Sequence, residues 1–297
     1  MEEAIAVRWG VFYDCGMKDQ RSEQRARLWL RGERAMGLKG VPKPRRRPAV
    51  AQALADTEVK PPPIVATTRR MANQAEPKGQ FQEMKLPEID KPFDAEVLST
   101  QEKRRRLLEM DEKEVRGCRR CRLHRYRTQT VFGEGDADAR IFFVGEGPGE
   151  NEDLSGRPFV GRAGQQLERM INGMGLQRQQ VYIANIVKCR PPDNRAPAPD
   201  EAAICTPYLE RQLEIVRPQV IVTLGLSATQ YLLQSKQAMG RMRGQWHTWR
   251  GIKVMPTYHP AYLLRNYTHE TRAAVWSDLK LVMAELGMPV PDRKKEN

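Results

Sequence analysis

The sequence predicts an α/β domain on a parallel sheet, preceded by a long basic extension, and three observations predict it. First, an apolar run from Ile141 to Val144 enters a glycine-rich turn, Gly145-Glu-Gly-Pro-Gly149. Second, apolar runs of strand length alternate with segments of helical periodicity as far as Leu286. Third, residues 1–95 carry neither pattern and are rich in proline and arginine. Such alternation gives a parallel sheet with helices on both faces and right-handed crossovers.

Taken in order, residues 1–95 read as a mostly disordered extension. Its segments Pro42-Lys-Pro-Arg-Arg-Arg-Pro48 and Pro61-Pro-Pro63 are extended and of low complexity. One short basic helix is expected between Asp19 and Leu38. Arg45 to Arg47 form a charge cluster best read as a solvated linker, and Cys15 reads as a free thiol. The ordered domain is expected over 96–290, with a charged tail over 291–297. Within it a helix runs from Ser99 to Val115 and stops at Gly117. Strand one is Ile141 to Val144, followed by a helix from Gly164 to Met174. Strand two is Val181 to Val187. Pro199 opens a helix that reaches Val216, and strand three is Val220 to Leu224. Ser227 is expected to cap a helix over 228–233. Gln245 to Met255 reads as strand, turn and strand about Arg250-Gly251, and a last amphipathic helix covers 271–286.

Composition bounds the function. The 297 residues carry a formal net charge of +13 and a hydrophobic fraction of 40%. That length holds one medium domain with extra chain, or two small ones. The positive balance points to a polyanionic partner, nucleic acid ahead of a membrane surface, with mere solubility as the plain alternative. No stretch approaches the roughly 18 apolar residues of a membrane span. Met1-Glu-Glu-Ala lacks the basic and apolar regions of a secretory signal, so a cytoplasmic protein is expected. Five cysteines are too few for a disulfide framework at this length, and they read as metal ligands.

Two constellations carry chemistry. The turn after strand one lets the backbone approach a ligand closely, where open α/β sheets bind ligands. It is neither a dinucleotide fingerprint, which needs G-x-G-x-x-G, nor a phosphate loop, which needs G-K-[ST]. A turn with no ligand is the alternative. Cys118 and Cys121 have C-x2-C spacing, and the short turn lets two thiols share a metal. Cys189 follows strand two, and Cys205 lies on the next helix. Four thiolates suit either zinc or a [4Fe–4S] cluster, and spacing does not choose between them. Six arginines (116, 119, 120, 122, 125 and 127) crowd the C-x2-C turn. Their charge offsets bound thiolates and would also face phosphate.

Several stretches together resemble family 4 uracil-DNA glycosylases, the iron–sulfur members of the uracil-DNA glycosylase superfamily. They are Gly145-Glu-Gly-Pro-Gly149 with Glu152-Asp153, Gly156-Arg-Pro-Phe-Val-Gly161, Asn185 four residues before Cys189, Cys189-Arg-Pro-Pro192, and His259-Pro-Ala-Tyr-Leu-Leu-Arg265. The resemblance covers roughly residues 99–287 and leaves out 1–95. It implies a three-layer α/β/α fold with a four-stranded parallel sheet, and a [4Fe–4S] cluster on Cys118, Cys121, Cys189 and Cys205. Many members carry alanine where Gly147 stands. Some relatives trap DNA through a histidine after the phenylalanine motif, and none stands there in this chain, which implies ordinary hydrolysis.

The implied reaction removes uracil from DNA as the first step of base-excision repair. The base is flipped from the stack into a pocket. Phe159 offers an aromatic face. Asn185 accepts from uracil N3–H and donates to O4, a pattern that cytosine reverses. His259 donates to O2 as charge grows there, and backbone amides near Glu146 and Gly147 add to it. Pro148 completes the turn. Glu146 or Glu152 orients the attacking water. Arg162 and Arg265 are expected to touch DNA. No lysine is placed as a Schiff-base nucleophile, so strand cleavage is not expected. The expected partner is uracil-containing DNA, with no membrane and with the chain a monomer. Two rivals stay open: a non-catalytic relative that binds uracil in DNA, and a zinc-stapled nucleotide-binding protein. Strand preference, activity on other deaminated bases and the role of residues 1–95 are not legible.

Overall fold

The computed structural model describes residues 92–93 and 97–291. The expected helix at 19–38, the Arg45–Arg47 cluster, Cys15 and the tail from 292 lie outside them.

The described chain starts with helix α1 (Thr100–Met110), continued as a π-helical turn over Asp111–Val115. Ser99 caps it by accepting the Glu102 amide at 3.3 Å. A two-residue strand, β1 (Glu134–Gly135), precedes β2 (Ile141–Gly145). Then come α2 (Glu150–Ser155) and α3 (Arg162–Gly173). Strand β3 (Tyr182–Asn185) leads through the Cys189 loop to α4 (Pro199–Val216). Strand β4 (Val220–Leu224), α5 (Leu226–Leu233) and α6 (Met239–Met242) follow. The chain closes with β5 (His247–Trp249), β6 (Ile252–Thr257), α7 (Pro260–Arg265) and α8 (His269–Glu285).

The sheet has six strands in the order β1-β3-β2-β4-β6-β5, where four were expected. The four central strands are the expected parallel set. The two additions are antiparallel edge strands of two and three residues. Every residue of β2 and β4 is buried, as a parallel sheet covered on both faces requires. Side chains of β2 alternate between two cores. Phe142 and Val144 join Leu107 of α1, Leu209 and Leu213 of α4, and Leu232 of α5. Ile141 and Phe143 join Leu167 and Ile171 of α3 and Leu279 and Val282 of α8. This is the three-layer α/β/α arrangement. Phe93 also packs on it, edge-on to Trp249 with ring centres 5.7 Å apart.

One local reading is corrected. Ser227 lies inside α5 and does not cap it; Gly225, with φ at 89°, is the capping residue.

Candidate active site

Strand order reverses at β2, because β3 lies on one side of it and β4 on the other. That switch opens a crevice at the carboxyl ends of the strands. A cleft of about 820 Å³ occupies it, a size suited to a small ligand or a single base. Its walls are the Glu146–Gly149 turn after β2, Asn185 at the end of β3, Leu224 to Ser227 after β4, and Tyr258 and His259 after β6.

Of the residues singled out from sequence, Glu146, Gly147, Pro148, Glu152, Phe159, Asn185, His259 and Arg265 all line this cleft. Arg162 does not line it; it sits exposed at the start of α3. Asn185 is 1% exposed, and its Oδ1 has no hydrogen-bond partner. Gly145 makes room for it. A Cβ on Gly145 would stand 2.3 Å from Asn185 Oδ1 and 2.5 Å from the Phe159 ring. The Phe159 ring is buried, with its centre 5.8 Å from that of His259.

His259 is the N-cap of α7, and Pro260 takes the first helical position. Its Nδ1 accepts the Ala261 amide at 3.0 Å. Burial, then the charge of Arg265, pushes its pKa down to about 4, against the pull of Glu152. The ring is therefore neutral at pH 7, with its proton on Nε2.

The two carboxylates differ. Glu152 Oε2 accepts the Gly149 amide at 3.1 Å, and Oε1 accepts the Val160 and Gly161 amides at 2.8 Å each. It ties the glycine turn to the Phe159 turn. The Glu146 side chain has no hydrogen bond or ion pair among the described residues, so only it is free to face a water.

Tyr258, Tyr262, Leu226, Asn194 and Arg195 also line the cleft and were not read from the sequence. The glycine closing the apolar run at Leu224-Gly225 was the one available signal for the Leu226 segment.

Behind the Cys189 loop, the four cysteines line one small cavity. Among the described residues no group of His, Cys, Asp or Glu is drawn tightly enough to enclose a bare metal ion. Burial raises the thiol pKa of Cys121 and Cys189, and that of Cys205 to about 12. For Cys118, burial is outweighed by hydrogen bonds with Tyr208 and Arg120, and the pKa falls. Arg127 donates to Cys189 Sγ at 3.1 Å, and the Lys188 amide donates to Cys205 Sγ at 3.3 Å. Four soft donors with N–H groups and positive charge beside them fit a thiolate-bound metal group, whose binding must release protons. The six arginines have divided tasks. Arg127 faces the thiols, Arg120 stacks 4.1 Å over Tyr208, and Arg122 is spent on Glu201, 2.6 Å away. Arg116 pairs with Asp111, and Arg119 and Arg125 are exposed.

The sheet, the switch-point cleft and its unpartnered amide are features of a base-binding α/β/α protein, and the family model described as "Uracil DNA glycosylase superfamily" matches residues 132–280. The type-4 uracil-DNA glycosylase of Thermotoga maritima is 49% identical over 179 residues, 60% of this chain and 93% of the relative. That of Saccharolobus solfataricus is 50% identical over 162 residues, 52% and 75% of the two chains. A type-5 uracil-DNA glycosylase of Pyrobaculum aerophilum is 30% identical over 187 residues, 56% and 82%. The chain belongs to the uracil DNA glycosylase superfamily, in its type-4 branch.

Proposed function

We propose that this protein is a monofunctional uracil-DNA glycosylase, which flips uracil out of DNA and hydrolyses its N-glycosidic bond to begin base-excision repair. The observation that carries this reading is the buried, unpartnered Oδ1 of Asn185 beside the Phe159 ring. An unsatisfied buried acceptor costs about 1–3 kcal/mol, which a ligand donor recovers. Uracil offers N3–H to that oxygen, and its O4 accepts from the same side-chain amide. Cytosine presents an unprotonated N3, which would set acceptor against acceptor.

Uracil leaves the stack and lies along Phe159. As the glycosidic bond lengthens, negative charge gathers on O2, and the neutral His259 donates from Nε2. A neutral donor strengthens its bond as that charge grows, with no proton to lose beforehand. Glu146 is the carboxylate left to orient the water that attacks the sugar carbon, because Glu152 is engaged by three backbone amides. The reaction proposed is hydrolysis, with no strand cleavage.

Cys118, Cys121, Cys189 and Cys205 would hold a [4Fe–4S] cluster, and the type-4 relationship favours this over zinc. Bound there, the cluster supplies a cross-link rather than a reaction step. Cys189 starts the loop whose Pro191, Asn194 and Arg195 wall the base cleft, so its ligation would fix that wall. We place the chain in the cytoplasm as a monomer acting on uracil-containing DNA. No helix among the described residues is long and apolar enough to cross a membrane.

Single-turnover cleavage of an oligonucleotide with one uracil, beside the cytosine and thymine controls, tests the reading. Release of uracil alone is expected. Tight uracil-dependent binding without release would instead make the protein a non-catalytic binder.

A further inference from the structure

Phe159 holds φ at 51°, in the left-handed region. An aromatic residue holds that strained conformation only where its surroundings over-determine it. The surroundings here include one guanidinium. Arg178 Nη1 donates to Phe159 O at 3.1 Å, and Nη2 of the same side chain donates to Pro158 O. Its Nε lies 2.6 Å from Glu134 Oε1 on β1. The Arg178 side chain is only 10% exposed. It belongs to the short 3-10 turn that enters β3, the strand that ends in Asn185. On the other side, Phe159 O lies flush against α3, where a Cβ on Gly164 would stand 1.9 Å from it.

We infer that Arg178 is a positioning residue for base recognition: its guanidinium holds the two carbonyls of the Pro158–Phe159 turn, and so sets the ring on which the base lies. This rests on the uracil reading above. The planar fork matters, because one side chain spans two carbonyls and a carboxylate at once. Glu152 holds the next two amides, at Val160 and Gly161. The strained residue is thus held through its carbonyl by Arg178 and through the amides after it by Glu152. Without Arg178 the turn can relax to negative φ, and the ring leaves its place at the end of β2, where it and Asn185 Oδ1 both face Gly145. Glu134 would still be paired with Arg157, at 2.8 and 3.0 Å, so the substitution leaves no unpaired buried charge and the fold persists.

The test uses the full chain with Arg178→Gln, Arg178→Lys, Phe159→Ala and the double variant Phe159→Ala/Arg178→Gln. Arg178→Gln should slow single-turnover uracil excision by about 10- to 100-fold, the scale of an ångström-level misplacement. Affinity for DNA bearing an abasic site should stay within about threefold, because no base is there to stack. Arg178→Lys should not restore the rate. In the Phe159→Ala background, loss of Arg178 should change the rate by less than about threefold, the mark of two residues acting as one. Hydrogen exchange supplies a readout free of catalysis: the Val160 and Gly161 amides should exchange at least about tenfold faster in Arg178→Gln, with β3 unchanged. Equal losses with and without the Phe159 ring, full rescue by lysine, or unaltered exchange would each overturn the inference. A wild-type chain inactive on uracil, with the exchange still raised in the variant, would overturn the excision reading and uphold the hold on Phe159.

Discussion

In the proposed reading Asn185 meets the base with one acceptor and one donor, so changing one atom should change the base that is excised. Asn185→Asp keeps the shape, loses the donor to O4 and adds charge beside it. Uracil excision should fall by roughly 10²-fold or more, the scale of a buried polar mismatch. The protonated carboxyl presents a donor to cytosine N3 and an acceptor to its N4 amino group. Weak cytosine release should therefore emerge at acidic pH, measured by single-turnover assays on paired oligonucleotides. His259 makes a different prediction. Its pKa lies near 4 in the folded protein, against about 6.5 when unfolded. Between those values the unfolded chain binds the extra proton, so stability falls as pH drops through that window. Excision should show no histidine break from about pH 8 to about pH 5.5, since the ring stays neutral throughout. In His259→Gln the rate should be lower, no new base should be released, and part of the acid loss of thermal stability should vanish. A wild-type rate that falls as pH rises through about 6.5 would show instead that the ring is charged at work.

At the level of elements, the cleft depends on how closely the end of β2 approaches its neighbours. Gly145→Ala puts a Cβ where Asn185 Oδ1 and the Phe159 ring now stand. The variant should fold, since only the strand end is touched, but lose excision by about 10²-fold through displaced contacts. Circular dichroism beside the single-turnover rate checks both halves. The same stretch shows what sequence can reveal. Strand β2 is a continuous apolar run and β4 is one broken only by Thr223, both closed by glycine, and α4 opens on proline, so their physics is local. Helix α2 was passed over because Glu150–Ser155 is short and polar, with only Asp153 buried. Strand β1 has two residues and gains its identity only by pairing with β3. Most of the candidate site was legible because glycines, an aromatic, an amide and a histidine sit at strand ends within recognisable motifs. Arg178 was not, since Gln177-Arg-Gln-Gln180 has no apolar pattern and its partners lie 19, 20 and 44 residues away. Nor could sequence separate Glu146 from Glu152, because the three amides that engage the latter converge only on folding.

Across the whole molecule, the cavity of the four cysteines and the switch-point cleft are mechanically joined. Asp153 of α2 accepts the Thr128 amide with both oxygens at 2.9 Å, tying the segment after the C-x2-C turn to the cleft side. Protein purified without oxygen should be brown and carry about four irons per chain, as four thiolates hold a [4Fe–4S] cluster. Colourless protein with one zinc would overturn that assignment. Cys205→Ala should lower soluble yield more than it alters the rate of whatever folds. We propose that the extension expected over residues 1–95 ends before Pro92, because Phe93 packs on Trp249. A chain starting there keeps the Phe93–Trp249 contact and should retain excision within a few-fold at low salt, losing only salt-sensitive affinity. Failure of that shortened chain to fold would move the boundary. The sheet itself ends, among the described residues, in strands of two and three residues. An edge that brief offers almost no row of open amides and carbonyls for a neighbour to zip against. Two copies brought edge to edge would thus find little backbone there to join by.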